Sequence, residues 1–450
     1  MTASAALAAG ATLPRQSFAQ DTGWKALAED VKAEMVWAWD NYRQFAWGKD
    51  ELKPASGGYR SFPLKNGHLG LSLVEALDTL WVMGLDSQFA EGLDWVKREL
   101  DFAVDGEVSV FETSIRLLGG LLSAHHASGD PAVLAKAKDL GDRLLPAFST
   151  PTGMPLRYVN LRTGASRDSK SSPAEVATYL PEWGTLSRLT GDRRYADAAR
   201  RAMHALFDRR SELGLFATGI DTVSGQWRSR KATIGSYVDS SYEYLWDSWQ
   251  LLGDEEAKRM YESCVSAILE HQQVWQDGAL WFANVDFETG KVLDSEQDSL
   301  AAFFGGLLGQ GGAMREGAAY TESWAGVLDR FGTLPEVYDY KARKARRPAN
   351  WLVPELADAA FNLWLLDRQD RWRQIIRTHY LNMKRWQKTR YGYTQLSNVT
   401  SKRQTDRCPG YWWSEQMKYY YLAFSDTARF DYGRNYLSTE GNVLLGFRRE

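Results

Sequence analysis

The sequence predicts an all-α fold, a closed ring of seven helical hairpins in which inner and outer helices alternate. Three observations predict it. The dipeptide Gly-Asp recurs at 129–130, 191–192 and 253–254, at an even step of 62 residues. A glycine that stops one helix beside an aspartate that starts the next marks a helix–helix turn. Looser relatives of that turn at Leu85-Asp86, Gly312 to Gly317, Gln369-Asp370 and Ser425-Asp426 bring the turns to seven. Between them NLRTG, DTVSG and DFETG, beginning at 160, 221 and 286, follow apolar residues as β-hairpin turns do. A period near 60 residues suits a two-helix unit with a connecting hairpin.

Taken in order, residues 1–20 are Ala-rich, and Ser17-Phe18-Ala19 offers a small-x-small cleavage site. This stretch reads as the remnant of an export signal, which places the protein in a periplasm or outside the cell. Residues 21–450 contain no Pro/Ser-rich linker and read as one domain. Trp24, Leu27, Val31, Met35 and Trp39 keep helical spacing. Leu73, Leu77, Leu80 and Trp81 form the stripe of an inner helix, and 86–103 pairs back on it. In VSVFETSIRLLGGLLSAHHASGD (108–130), Ser109 and Glu112 have capping-box spacing, and Ile115, Leu118, Leu121 and Leu122 follow as a buried stripe. PAVLAKAKDLGDRLLPAF and RRYADAARRAMHALFDRR are polar on one face, as outer helices are. SSPAEVATYLPEWGTLSRLTGD lies between them as an inner helix; 235–254, 296–312, NWLVPELADAAFNLWLLD and GYWWSEQMKYYYLAFSD supply the remaining ones. Short β-hairpins are expected near 154–164, 215–228 and 278–292. The basic stretch KARKARRPAN (341–350) is a solvated loop or the rim of a site.

A net charge of −3 leaves no electrostatic footprint for nucleic acid. No apolar run is long enough to span a membrane, so no membrane insertion is expected, and a monomer is. The 19 tryptophans and 21 tyrosines suit a large core, and aromatics also stack on sugar faces. Cys264 and Cys408 make one bridge at most, and the absence of CxxC and HExxH argues against zinc.

Each inner helix carries a carboxylate: Glu75, Glu112, Glu182, Asp239, Asp298, Glu355 and Glu415. One such acid alone reflects the preference of helix N-termini for anions. In a ring the inner helices run parallel, so these acids gather at one end, interleaved with aromatics. That combination describes a sugar pocket with groups able to do acid–base work.

At these residues the chain resembles the class I α-1,2-mannosidases, glycoside hydrolase family 47, as a bacterial member. GLSLVEALDTLWVMGL, SVFETSIRLLGGLLSAHHASGD, LPEWGTLSRLTGD, VDSSYEYLWDSW, WLVPELADAA, SEQMKYYYLAF and LSTEGNVLLGF follow in family order from about residue 30 to the end. The resemblance implies an (α/α)7 barrel plugged by a C-terminal hairpin. It implies an inverting, Ca2+-dependent exo-α-mannosidase acting on an α-mannoside glycan. Carried over residue by residue, it makes Glu112 the acid acting through a water, Glu355 the base, and Asp239 a third essential carboxylate able to take either role. Arg116, Glu182, Asp298, Asp358, Glu415 and Glu440 fall around the sugar and the metal's waters, and Thr439 on the calcium itself. Taken alone, Arg116 is an i,i+4 partner of Glu112. The acid needs a raised pKa, which Phe111 and Ile115 would supply, and inverting carboxyls stand roughly 6.5–9.5 Å apart. The chain departs from the family pattern at Val353, Ser299, Asp358 and the ending TEGNV, which bears on subsites and linkage preference. A lectin-like protein would not need all three core acids, and the absence of DDxxD weakens a terpenoid cyclase.

Overall fold

The computed structural model describes residues 21–446 apart from 426 and 428. Residues 1–20, on which the export-signal expectation falls, and Asp426 of the seventh turn signal lie outside the described residues. Helix α1 (Asp21–Phe45) precedes six inner–outer pairs. They are α2 (Leu71–Val82) with α3 (Asp86–Arg98), α4 (110–128) with α5 (Pro131–Leu144), and α6 (Leu180–Thr190) with α7 (Arg194–Phe207). Then come α8 (Asp239–Leu252) with α9 (Glu255–His271), and α10 (Phe304–Gln310, entered through a 3₁₀ turn at Ser299–Phe303) with α11 (Met314–Phe331). The last are α12 (Glu355–Asp367) with α13 (Asp370–Gln387), and then the inner helix α14 (412–424).

The three Gly-Asp turns form as expected. Gly129, Gly191 and Gly253 each take the left-handed conformation that ends a helix. Asp130 and Asp254 cap the next helix by accepting backbone amides, and Asp192 accepts the Arg194 amide. The seventh turn differs. After Ser425 no outer helix follows among the described residues; the chain runs into a two-stranded hairpin, Asn435–Leu437 with Val443–Leu445. The outer partner of α14 is the N-terminal α1, where Trp24 stacks on Phe424 at 5.6 Å between centroids. The ring is therefore closed by its two chain ends. Between inner helices it is closed by Thr79 of α2, whose hydroxyl donates to the Trp413 carbonyl at 2.8 Å.

Returns from inner to outer helices are tight turns, whereas the connections from outer to inner helices carry the strands. The short sheets other than the C-terminal hairpin therefore lie at the end of the ring where inner helices start. The three expected hairpin turns are there: Val159 pairs with Ser166, Ile220 with Trp227 and Val285 with Val292. Inner α2 and α8 are buried almost all round, while outer α7 buries one face. Trp39, Trp183, Trp324 and Trp372 are core residues. Cys264 and Cys408 are both buried and free. Among the described residues no helix is long and apolar enough to cross a membrane.

The C-terminal hairpin threads the ring. Tyr436 bonds Asp247 of α8, the Val443 amide donates to Asp78 of α2 at 2.8 Å, and Asn442 donates to the Ile115 carbonyl of α4 at 2.9 Å. Lys418 of α14, fully buried, pairs with Asp78 at 2.6 Å and also reaches the Gly441 carbonyl. Gly441 has φ 67°, and a Cβ there would stand 2.9 Å from the Ser414 carbonyl oxygen, so only glycine lets the hairpin tip pass α14.

Candidate active site

The helix starts at the sheet-covered end ring a cavity of about 470 Å3. Glu112, Asp239, Asp298, Glu355, Glu415, Glu440, Arg116 and Thr439 all line it. Asp358 lies one step deeper, in a 50 Å3 chamber it shares with Asp239, Glu243, Glu355, Glu415 and Thr439. Glu182 is brought to neither space. It is fully buried in α6, and Tyr244 donates to it at 2.6 Å.

Local winding sets the positions. Ser109 caps α4 by accepting the Glu112 amide, as the capping-box spacing predicts. The reciprocal half of the box is absent, because Glu112 turns instead to Arg116. Residues Thr113–Leu118 then wind as a π turn, and Asn442 of the plug takes the Ile115 carbonyl within it. A second π turn, Trp412–Gln416, carries Glu415. Wide turns of this kind re-aim side chains at functional sites.

Arg116 answers three carboxylates: Glu112 at 2.7 Å, Glu440 at 2.7 Å and Glu75 at 3.2 Å, with Tyr411 beneath its guanidinium at 5.3 Å. The predicted i,i+4 pair with Glu112 is thus one edge of a larger network, and the expected apolar shielding of Glu112 by Phe111 and Ile115 gives way to an ion pair. Asp239 accepts the Ser240 amide at 2.9 Å. Burial first, then the charges of Asp298, Glu243 and Glu112, push its carboxyl well above the usual range. Glu355 is raised well above that range by burial and by Asp239, Asp358 and Glu243, and its Oε2 is buried without a hydrogen-bond partner. Asp298 accepts the Ser236 amide at 3.1 Å; a Cβ on Gly235 would stand 2.4 Å from its oxygen.

Thr439 sits on the plug's tip and donates its hydroxyl to Glu243 at 2.7 Å. That leaves its lone pairs and its carbonyl for another group. No three Asp, Glu, His or Cys side chains converge into a ready-made metal cage among the described residues. Many buried carboxylates with few cations, an unpartnered Glu355 oxygen and a threonine at the centre nonetheless fit a divalent ion held by Thr439 and by water.

Sequence reasoning missed Glu243 because it took one acid per helix. The signal is present, since Asp239, Glu243 and Asp247 follow one another at intervals of four. It also missed most of the rim: Tyr237, Trp351 and Tyr411, and the pair Arg157–Glu175 at 2.7 Å, whereas Arg347, paired with Glu336 at 2.9 Å, falls in the basic stretch that the sequence reads as a loop or a rim. These residues stand in loops, a short strand and helix ends that carry no periodic pattern. Arg347 brings the end of the basic stretch 341–350 to the rim, while Lys341, Arg343 and Lys344 are exposed. Val353 and Ser299, where the chain departs from the family pattern, both form the cavity wall.

A pH dependence follows for the metal-free chain. Burial pushes Glu182 and Glu243 up to about 8, and Asp358 and Glu440 up to about 7. Unfolded carboxyls titrate near ~4, so between that value and the folded ones the native state holds more protons than the unfolded state. Stability therefore falls as pH rises through that window. Thermal denaturation of chelator-treated protein should show Tm dropping from about pH 5 to about pH 8, and calcium should offset the drop. A Tm that climbs across that window in the metal-free protein would contradict this.

Comparison with known proteins adds the following. The sequence pattern of "Glycosyl hydrolase family 47" matches residues 34–445. The chain is 33% identical over 448 residues to "Alpha-mannosidase I MNS5" of Arabidopsis thaliana, covering 93% of this chain and 77% of that protein. It is 32% identical over 437 residues to "Mannosyl-oligosaccharide 1,2-alpha-mannosidase IB" of Homo sapiens, covering 90% and 68%. Among solved structures it superposes on the "alpha-1,2-mannosidase from Trichoderma reesei" with TM-score 0.85 and 23% identity, covering 94% and 99%, which shows the (α/α)7 barrel.

Proposed function

The chain belongs to glycosyl hydrolase family 47 and is a glycoside hydrolase, and on that premise we propose that it is an inverting, calcium-dependent exo-α-1,2-mannosidase. The observation that carries this is one 470 Å3 cavity lined together by Glu112, Asp239 and Glu355, with Thr439 and Glu440 of the plug also in its lining. A pocket blocked by the plug admits a chain end and not a chain interior, which makes the action exo. The relatives' mannosidase names support the substrate class.

The terminal mannose enters from the rim, where Tyr237 and Trp351 offer exposed aromatic faces. Glu355 takes a proton from a water as that water's oxygen bonds the anomeric carbon. The glycosidic bond breaks on the opposite side, and the departing oxygen receives a proton. The sequence points to Glu112 as donor with Asp239 in reserve; because Arg116 holds Glu112 as an ion pair, we take Asp239 as the donor. Burial raises the carboxyls of both Asp239 and Glu355, but a bound calcium beside Glu355 would favour the carboxylate that a base needs. Arg116 also fixes Glu440 at the plug's tip. Thr439 would hold the calcium, with Glu243, Glu355, Asp358, Glu415 and Glu440 orienting its waters. When bound, the ion supplies a dication that takes oxygen ligands from the sugar's hydroxyls and keeps neighbouring carboxylates ionised.

Mannobioses linked α-1,2, α-1,3 and α-1,6 test this directly. Free mannose is expected from the α-1,2 disaccharide, lost in excess chelator and recovered on adding calcium. Cleavage of another linkage with the α-1,2 disaccharide intact would overturn the substrate; full activity in chelator would overturn the metal.

A further inference from the structure

The sugar pocket is not the only space on the ring's axis. The 50 Å3 chamber beneath it shares Glu243, Asp358 and Phe303 with a third cavity, of 140 Å3, which lies towards the end where the inner helices finish. That rear cavity is lined in addition by Asp247, Gln310, Asn362, Asn435 and Tyr436, and its rim includes Leu366, an exposed residue. Two polar ladders connect the three spaces. On α8, Asp239, Glu243 and Asp247 stand at i, i+4 and i+8, rising about 6 Å per rung along the axis. Asp239 faces the mouth and the chamber, Glu243 the chamber and the rear cavity, and Asp247 the rear cavity. On α12, Glu355, Asp358 and Asn362 make the same descent, and Asn362 donates to Asp358 at 2.9 Å. Each rung offers a cation an oxygen ligand. Arg368, a cation of the rear lining, is exposed at the rim and stands outside the ladders.

We propose that these facing ladders form a rear cation path, joining the floor of the sugar pocket to solvent at the opposite end of the ring. The inference rests on the calcium proposal and adds to it. A glycan seated in the mouth covers the way to Thr439 from above. The rear path lets the ion load and leave from below, through openings too narrow for a sugar.

The test is kinetic and needs no turnover. Calcium association is followed by stopped flow, and dissociation by transfer to an excess of fluorescent chelator at low ionic strength. Leu366→Arg places a cation at the exposed rear rim, outside the lining of the sugar pocket. It is expected to lower both rates about tenfold while leaving the dissociation constant unchanged. Leu366→Glu, similar in reach and opposite in charge, lowers neither. Asp247→Asn, which removes a rung without removing volume, also lowers both rates. Wild-type rates in Leu366→Arg and Asp247→Asn, or equal slowing by Leu366→Arg and Leu366→Glu, would overturn the path alone. Equilibrium dialysis showing no calcium on the wild type would overturn the metal proposal beneath it, a separate result.

Discussion

Glu355→Gln is expected to lower kcat on α-1,2-mannobiose by about a thousandfold, the scale of a lost general base. The fold should not suffer. Glu355 is crowded by Asp239, Asp358 and Glu243, and its Oε2 has no hydrogen-bond partner to lose. Replacing it by a neutral amide removes like-charge repulsion, so Tm should hold or rise. Asp239→Asn should be equally damaging on the disaccharide. The two separate on a mannoside with a nitrophenolate leaving group, which departs without a proton: Asp239→Asn should regain much of its rate and Glu355→Gln should not. A Glu355→Gln enzyme within about tenfold of wild type would remove Glu355 from the base role.

Arg116→Met is expected to have the largest effect on stability. The side chain is 11% exposed and is the shared partner of Glu75, Glu112 and Glu440. Removing one cation from a buried network leaves several carboxyls uncompensated, a loss of about 3–5 kcal/mol. Denaturant unfolding of the metal-free variant measures it. Because the stranded carboxyls can protonate, part of the loss should return at lower pH. A loss below about 1 kcal/mol would mean that the network is as weak as a surface pair.

Much of the ring was legible in the sequence because its signals are local. Gly129, Gly191 and Gly253 stop helices for a backbone reason, and the aspartates after them bond the first amides of the next turn. The seventh pair was not legible that way. α14 meets α1 across the whole length of the chain, and no local pattern at 425 reports a partner near residue 24. The site divides along the same line. One acid per parallel inner helix is a pattern along the sequence, and six of the seven acids so chosen point into or beside the cavity or its network. Glu182 has the same spacing but faces Tyr244 in a buried interior, a matter of side-chain direction that spacing does not encode. Arg116's bonds to Glu75 and Glu440 arise from a π turn and a hairpin threaded through the ring, both properties of the assembled fold. Tyr237 and Trp351 line the cavity from a turn and an irregular segment that carry no periodic pattern.

The most direct measurement is proton NMR of α-1,2-mannobiose during hydrolysis by the calcium-loaded enzyme, following the anomeric signal of the first mannose released. β-Mannose appearing first, with α-mannose growing in afterwards by mutarotation, is the predicted result. α-Mannose appearing first, or no mannose released at all, would contradict it.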